Sequence, residues 1–160
     1  MIKIKAANTS GESTQKTKVG VGILLISPTG QFLLRHRISA HGNDTWAPPG
    51  GHVDFGEDPV QAAIRETKEE VGIDIHAPTL LDFTSDNFTS TNEHYVTLVF
   101  AVRVNDTSSV KNMEPEKCDE LRWVYSDELP ENIFLPLKNF IKKQGPTGLR
   151  HMLAMFPRAA

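Results

Sequence analysis

The chain has little cysteine, few aromatic residues and no excess of positive charge. Its 160 residues contain one cysteine, Cys118, which excludes an internal disulfide framework and favours a reducing environment. Lys and Arg number 17 against 20 Asp and Glu, and the net charge of −3 gives no general attraction to nucleic acid or to an anionic membrane. No apolar run reaches the roughly 18 residues of a membrane span, and the polar N-terminus has no apolar signal region. We therefore expect a cytoplasmic protein.

What the chain does contain is enough for one globular domain. Apolar residues make up 39% and charged residues 23%, which is typical of globular proteins. Residues 1–17 are polar and lack sustained periodicity, so we expect a flexible arm there, with a short strand at most over 2–5. The domain itself is expected over 18–145. Residues 146–160 form an extension that no pattern places.

Runs of apolar and β-branched residues predict several strands. A buried strand is expected over 19–27, and a turn over 28–30 joins it to a second strand over 31–35 as a hairpin. The other expected elements are strands over 79–84, 94–104 and 121–125, and a short helix over 136–145. Since strands and helices do not alternate regularly, the order predicts an α/β (α+β) fold with a mixed sheet and helices packed on its faces.

The strongest helix signal covers residues 59–71. Asp58 can cap this helix, Pro59 suits its first position, and Gly72 stands just past its end. Helical spacing predicts a core-facing stripe of Val60, Ala63, Ile64, Thr67 and Val71.

Three carboxylates crowd one flank of that stripe. Glu66 and Glu70 are i, i+4 neighbours, and Glu69 lies one step further round, toward the negative end of the helix dipole. Like charges in this arrangement destabilise a helix by roughly a few tenths of a kcal/mol, a cost that a divalent cation offsets. Carboxylate oxygens suit hard ions such as Mg²⁺ or Mn²⁺. The alternative is a solvated acidic face that Arg65 and Lys68 neutralise.

The loop and helix together carry a specific motif. Residues 51–57 read Gly-His-Val-Asp-Phe-Gly-Glu, and residues 65–73 read Arg-Glu-Thr-Lys-Glu-Glu-Val-Gly-Ile. This segment resembles the Nudix box, Gly-x5-Glu-x7-Arg-Glu-U-x-Glu-Glu-x-Gly-U, in which U is a bulky aliphatic residue. Thr67 departs from the pattern at the first U position, where its methyl group can still pack on the core. Residues 46–51 are similar to the approach to this box in nucleotide-hydrolysing members. Residues 94–97 and 112–118, followed by Trp123, resemble the MutT-like nucleoside-triphosphate diphosphatase branch, which includes plant and vertebrate nucleotide-sanitising members.

The resemblance implies an α/β/α sandwich around a mixed sheet and a Mg²⁺-dependent hydrolase, with Mn²⁺ as a substitute ion. Its expected substrate is a small nucleotide, most directly a nucleoside triphosphate cleaved to the monophosphate and pyrophosphate. Two alternatives remain open. One is a pyrophosphatase acting on ADP-ribose, a nucleotide sugar or a dinucleotide, and the other is a non-catalytic nucleotide-binding regulatory module. The expected assembly is a monomer or homodimer without a polymeric nucleic-acid partner.

The resemblance also assigns roles to residues of the motif. Glu66 and Glu70 would be the principal metal ligands, with Glu69 as a third ligand or as the general base. Gly50 would offer its backbone carbonyl to the metal. The remaining residues would support the site: Glu57 pairs with Arg65 to fix the loop against the helix, Gly51 allows the sharp loop-to-helix approach, and Gly72 ends the helix.

Residues outside the box complete the expected site. Glu116 is the candidate for a general base supplied by a distant loop, with Glu114 as the near alternative and a merely solvated acidic loop as a third. Arg37, in the cluster Arg35-His36-Arg37, is a candidate for contacts with phosphate or base edges, with a solvated strand end as the alternative. His52 is a candidate for a hydrogen bond to phosphate, with a loop histidine without function as the alternative. Phe88, in a polar stretch, is the best candidate for stacking on a base.

Two other features have less functional weight. Trp46 and Trp123 are expected in the core rather than at the substrate. Gly20-x-Gly22 resembles a fragment of a dinucleotide-binding loop, but no helix follows it, so we do not expect that function.

Overall fold

The computed structural model describes residues 15–145 and 147–156. Most of the expected arm, including the strand considered over 2–5, lies outside the described residues, as do Pro146 and residues 157–160. Seven strands and three helices occupy the described part of the chain, in this order: β1 (Lys18–Ile26), β2 (Phe32–Arg37), β3 (Thr45–Ala47), β4 (Gly50–His52), α1 (Pro59–Val71), β5 (Thr79–Phe88), β6 (Glu93–Arg103), β7 (Cys118–Val124), α2 (Leu135–Gln144) and α3 (Gly148–Met155).

The strands form one mixed sheet in the order β3-β2-β1-β6-β5, with β4 paired to β1 and β7 paired to β2. The central strands β1 and β6 run parallel, with Gly20 opposite Thr97, and the other pairs are antiparallel. Successive residues of β1 point to opposite faces, so Ile23 and Leu25 pack on the side of α1 while Leu24 and Ile26 pack on the side of α2 and α3. The sheet is therefore enclosed between helices, which confirms the predicted fold class.

Helix α1 begins and ends as its sequence predicts. The Asp58 carboxylate accepts a hydrogen bond of 2.8 Å from the Val60 N–H, and Gly72 adopts the left-handed conformation (φ 79°) at the other end. Thr67 is fully buried, and its hydroxyl donates to the Ala63 carbonyl. The buried position of Thr67 shows that the departure from the motif does not disturb the core.

The core-facing stripe of α1 differs from the prediction. Its buried members are Ala62, Ala63, Thr67, Glu70 and Val71, whereas Val60 and Ile64 are only partly buried. The buried face is thus turned toward Glu70. Hydrophobic spacing does not predict this rotation. The buried position is occupied by the Glu70 carboxylate, which has polar partners inside the protein.

Other elements also differ in extent from the sequence-based expectation. β5 continues to Phe88 and β7 begins at Cys118, while β3 and β4 are short strands that the sequence patterns did not predict. Part of the unplaced extension forms α3, whose Leu149 and Leu153 are buried against α2 and the sheet. No helix in the described ranges is long and apolar enough to cross a membrane.

Replacing Leu153 tests whether α3 belongs to the core. Leu153 is 4% exposed, so Leu153→Ala is expected to lower the free energy of unfolding by about 2–4 kcal/mol through lost burial and a residual cavity. The matched control is Met155→Ala on the same helix, where the side chain is 69% exposed and the expected change is within about 0.5 kcal/mol. Urea denaturation measures both values. Equal effects of the two substitutions would contradict the packing of α3.

Candidate active site

Helix α1 brings Glu70 into contact with the backbone of β4. One oxygen of the Glu70 carboxylate accepts a 2.8 Å hydrogen bond from the Gly50 N–H, and the other forms an ion pair with Arg35. The side chain is buried, and burial raises the pKa of Glu70 to about 7, against the opposing influence of Arg35 and of the Gly50 N–H. Ionising this carboxylate therefore needs nearby positive charge.

The two glycines of β4 permit an unusually close approach of three segments. A Cβ at Gly51 would lie 2.3 Å from a carboxylate oxygen of Glu66, and a Cβ at Gly50 would lie 2.1 Å from the Val21 carbonyl oxygen. A side chain at Gly50 would therefore collide with the backbone of β1, and one at Gly51 would displace the Glu66 carboxylate. Burial also raises the pKa of Glu66 above its ordinary value. Glu66 and Glu70 thus lie one helical turn apart, both against β4.

Arg65 connects the loop before α1 to the helix carboxylates. Its guanidinium donates two hydrogen bonds to Glu57, of 2.8 and 2.9 Å, and one of 3.0 Å to the His52 carbonyl. It also donates to Glu66 at 2.8 Å and to Glu69 at 3.3 Å. The two hydrogen bonds from Arg65, with a further one of 3.0 Å from the Asp54 N–H, hold the pKa of Glu57 down at about 2. One arginine therefore fixes the positions of three acidic side chains.

A second arginine brings in the loop after β6. Arg35 is buried and donates to Glu114 at 3.2 Å in addition to its pairing with Glu70. Lys117 donates to the other oxygen of Glu114 at 2.7 Å. Glu116 is exposed on the same loop and makes no ion pair within the described part of the chain. The structure thus places Glu114 beside the carboxylates and leaves Glu116 outside the group.

The carboxylates of α1 have the donor chemistry of a hard divalent cation site. Glu66, Glu69 and Glu70 offer only oxygen ligands, and Gly51 leaves the space in which the Glu66 carboxylate lies. Among the described residues no three His, Cys, Asp or Glu side chains converge closely enough to hold a metal. Arg65 and Arg35 lie among the carboxylates instead. The ligand atoms of these residues are therefore suitable for a hard divalent cation, and Arg35 and Arg65 neutralise the carboxylates in this structure.

A cavity lies on the other side of β4. Its residues come from the α2 face of the sheet, the loop before β3, the start of α2 and β4 itself, and they include Arg37, Gly50, Gly51, His52 and Phe88. All three candidate substrate contacts, Arg37, His52 and Phe88, therefore line one cavity.

Aromatic rings form one wall of this cavity. Phe88 lies with its ring centroid 4.6 Å from that of His41, 5.5 Å from Phe134 and 5.6 Å from Tyr95. Arg37 lies over the Phe134 ring at 4.6 Å, and His52 hydrogen bonds to the Tyr95 hydroxyl at 2.9 Å. Flat, polarisable walls of this kind suit a heteroaromatic ring. Sequence reasoning missed His41 and Phe134, which lie in loops far apart in the chain.

The glycine pair of β1 forms part of the cavity floor. Gly20 and Gly22 lie on the same face as Leu24 and Ile26, where they leave the surface of the sheet without side chains. A Cβ at Gly22 would lie 3.6 Å from the Pro48 ring, so a larger side chain there would enter the cavity. The Gly-x-Gly pattern is therefore a strand feature that opens space and is not part of a dinucleotide loop. As expected, Trp46 is buried in the core, while Trp123 is partly buried against the α1 face.

Comparisons with known proteins agree with this arrangement. A model of the NUDIX domain matches residues 16–144. An 8-oxo-dGTP diphosphatase of Proteus vulgaris is 31% identical over 86 residues, which are 54% of this chain and 74% of that protein. An asymmetrical bis(5'-nucleosyl)-tetraphosphatase of Sus scrofa is 32% identical over 100 residues, 61% of this chain and 66% of that protein.

A solved structure shows the same fold over most of its length. The MutT NUDIX hydrolase from Burkholderia pseudomallei matches with a TM-score of 0.70 at 30% identity, covering 75% of this chain and 92% of that one. The family match includes the whole sheet, α1 and both glycines of β4. This chain accordingly belongs to the Nudix family, as a MutT-like hydrolase that acts on nucleotide diphosphate linkages.

Proposed function

We propose that the protein hydrolyses a nucleoside triphosphate to the monophosphate and pyrophosphate, with Mg²⁺ bound at Glu66 and Glu70 and with Mn²⁺ as a substitute. The observation that carries this proposal is the position of β4 between the α1 carboxylates and the aromatic cavity. A nucleotide whose base enters the cavity places its phosphates near Gly50 and Gly51. The 8-oxo-dGTP diphosphatase relative supports a triphosphate substrate.

The α1 carboxylates have distinct tasks in this proposal. Glu66 and Glu70 bind the cation together with the Gly50 carbonyl, and Glu69 is a third ligand or the base. When bound, the cation neutralises phosphate oxygens and lowers the pKa of a water nucleophile. The Gly50 N–H fixes the direction of the Glu70 carboxylate, and Arg65 fixes that of Glu66.

Three carboxylates are candidates for the proton acceptor: Glu69, Glu114 and Glu116. Glu69 is half exposed and held by Arg65, so it can exchange protons with solvent near the reacting phosphate. Glu116 stays a prediction from the resemblance, and reaching the site would require its loop to rearrange. Glu114 already lies beside Glu70 through Arg35, which favours it over Glu116.

The cavity residues bind the rest of the nucleotide. Phe88 stacks on the base, and Arg37 and His52 donate to phosphate or base edges. The proposal includes a cytoplasmic location, a monomer or homodimer, and no polymeric nucleic-acid partner. The substrates expected from the open alternatives, namely dinucleotides, ADP-ribose and nucleotide sugars, are distinguished by the assay below.

A substrate panel in Mg²⁺ with product identification tests the proposed reaction. Triphosphates, including oxidised ones, are expected to give monophosphate and pyrophosphate faster than dinucleotides or sugar nucleotides are cleaved. Glu70→Gln is expected to lower kcat/KM by about 100-fold or more, because a ligand charge is lost with little change in volume. It is also expected to lower Tm, because the buried Arg35 guanidinium loses an ion-pair partner. The matched control is Glu131→Gln, at an exposed loop residue.

Each other outcome of the panel supports a different conclusion. Faster cleavage of dinucleotides would overturn the triphosphate proposal in favour of the type of activity named for the Sus scrofa relative. Nucleotide binding without turnover of any substrate would favour the regulatory module. Near wild-type activity of Glu70→Gln would remove Glu70 from the metal site.

The pH dependence of stability tests the structural role of Glu57. Arg65 lowers the pKa of Glu57 from an ordinary value of 4.5 to about 2, so the ion pair stabilises the fold fully above about pH 4.5 and loses this effect as the pH falls toward 2. Glu57→Gln should be less stable than wild type at pH 7, with the difference shrinking at pH 3. Urea midpoints across this range measure it, and a difference that grows on acidification would contradict the pairing.

Substitution of Gly22 tests the cavity as the base site. Gly22→Ala and Gly22→Val add increasing volume to the floor, so KM is expected to rise in that order, by about 10-fold or more for Val, while Tm stays within a few degrees. Steady-state kinetics and thermal melts measure these effects. An unchanged KM for Gly22→Val with intact folding would place the base elsewhere.

A further inference from the structure

A fully buried carboxylate lies beneath the cavity floor. Asp86 of β5 is 0% exposed, and one of its oxygens accepts hydrogen bonds from the hydroxyls of Thr97 at 2.6 Å and Thr84 at 2.9 Å. Its other oxygen accepts from the Asn139 side chain at 2.8 Å. No Lys, Arg or His within the described residues forms an ion pair with it. Burying a carboxylate costs several kcal/mol unless hydrogen bonds compensate, so three donors are gathered for one acid.

One of these donors also faces the cavity. Thr97 lies opposite Gly20 in the parallel pairing of β1 and β6, and it belongs to the cavity lining. A Cβ at Gly20 would lie 3.8 Å from the Thr97 hydroxyl oxygen, so this oxygen borders the space that the glycine leaves open. Thr84, in contrast, bonds the same carboxylate from β5 without lining the cavity.

The buried carboxylate determines which way the Thr97 hydroxyl points. A hydroxyl has one hydrogen and two lone pairs, and an ionised carboxylate only accepts. Because the Thr97 hydrogen is donated to Asp86, its oxygen is left as an acceptor, and no other hydrogen bond to this oxygen is formed within the described ranges. The Thr97 hydroxyl in the cavity floor is therefore available only as a hydrogen-bond acceptor. Without the bond to Asp86, the same hydroxyl could either donate or accept.

We propose that Asp86 is a positioning residue for substrate selection: it fixes Thr97 as a hydrogen-bond acceptor in the cavity floor, so that the site prefers a nucleobase edge carrying an N–H donor. This inference rests on the proposed function, since it takes the cavity as the base site. An edge that has only acceptors would face the Thr97 oxygen without a hydrogen between them, and a buried unmatched pair of acceptors is strongly disfavoured.

Anchoring of α2 alone does not account for Asp86. Asn139 does tie α2 to this carboxylate, but α2 is also held to β5 by Lys143 and Gln144, which donate to Asp82 at 2.6 and 3.0 Å. An anchor needs neither a fully buried charge nor a hydroxyl at the cavity floor. The feature specific to Asp86 is its hydrogen bond to Thr97.

Binding of nucleoside monophosphates tests this inference without turnover or metal. Isothermal titration compares GMP with IMP, which lacks the amino group at C2, and 8-oxo-dGMP with dGMP, which has an acceptor in place of the N7–H donor. In wild type, the donor-bearing member of at least one pair is expected to bind about 10-fold more tightly. Thr97→Val removes the hydroxyl at nearly constant volume and is expected to abolish that preference.

Thr84→Val is the matched control, since it removes the other hydroxyl from the same carboxylate. It is expected to change Tm but to keep the binding preference, because Thr84 does not line the cavity. Asp86→Asn, if folded, is expected to reduce the preference at least 3-fold by freeing the Thr97 hydroxyl to rotate. If it does not fold, the comparison of Thr97→Val with Thr84→Val decides the question.

The outcomes separate this inference from the proposed function. Equal preferences in wild type and Thr97→Val, or equal losses in Thr97→Val and Thr84→Val, would overturn the role of Asp86 and leave a structural network. Absence of triphosphate hydrolysis, with the binding preference intact and sensitive to Thr97→Val, would overturn the proposed reaction and retain the inference.

Discussion

The contact between α1 and the glycine pair of β4 determines the layout of the site. Glu70 accepts a hydrogen bond from the Gly50 N–H, and Glu66 occupies the space beside Gly51 that any side chain would fill. Because β4 also borders the cavity, a strand of three residues separates the acidic group from the aromatic wall. The sheet that contains this strand packs against α1 on one face and against α2 on the other. This close packing makes the site rigid.

Burial of acidic groups is the recurrent energetic cost of this protein, and the structure compensates for it differently on the two faces. On the α1 face, Arg35 and Arg65 neutralise carboxylates whose pKa values burial raises. On the α2 face, Asp86 is compensated by neutral donors alone. In the proposed function, these arginines can be replaced as neutralising partners by a cation that binds with the polyanionic substrate. Neutral partners suit a fixed polarity that does not change during turnover.

The sequence predicts the local features of this structure better than the distant ones. The ends of α1 follow from Asp58, Pro59 and Gly72, and the mixed sheet follows from the irregular order of strands and helices. The rotation of the buried face toward Glu70 could not be predicted, because Arg35 and Gly50 are far away in the chain. Helix α3 could have been predicted from the helical spacing of Leu149 and Leu153. His41, Phe134 and Asp86 have no local signal, since tertiary packing alone brings His41 and Phe134 to the cavity and Asp86 beneath its floor.

The most direct measurement is a crystal structure with Mg²⁺ and a nucleoside triphosphate analogue that carries a methylene bridge between the α- and β-phosphates. The cation is expected on the oxygens of Glu66 and Glu70, with the phosphates over Gly50 and Gly51 and the base in the cavity beside Phe88. An ordered nucleotide whose base lies outside the cavity, with no cation on Glu66 and Glu70 and both still paired with Arg65 and Arg35, would contradict the central claim that β4 joins a cation site to a base site.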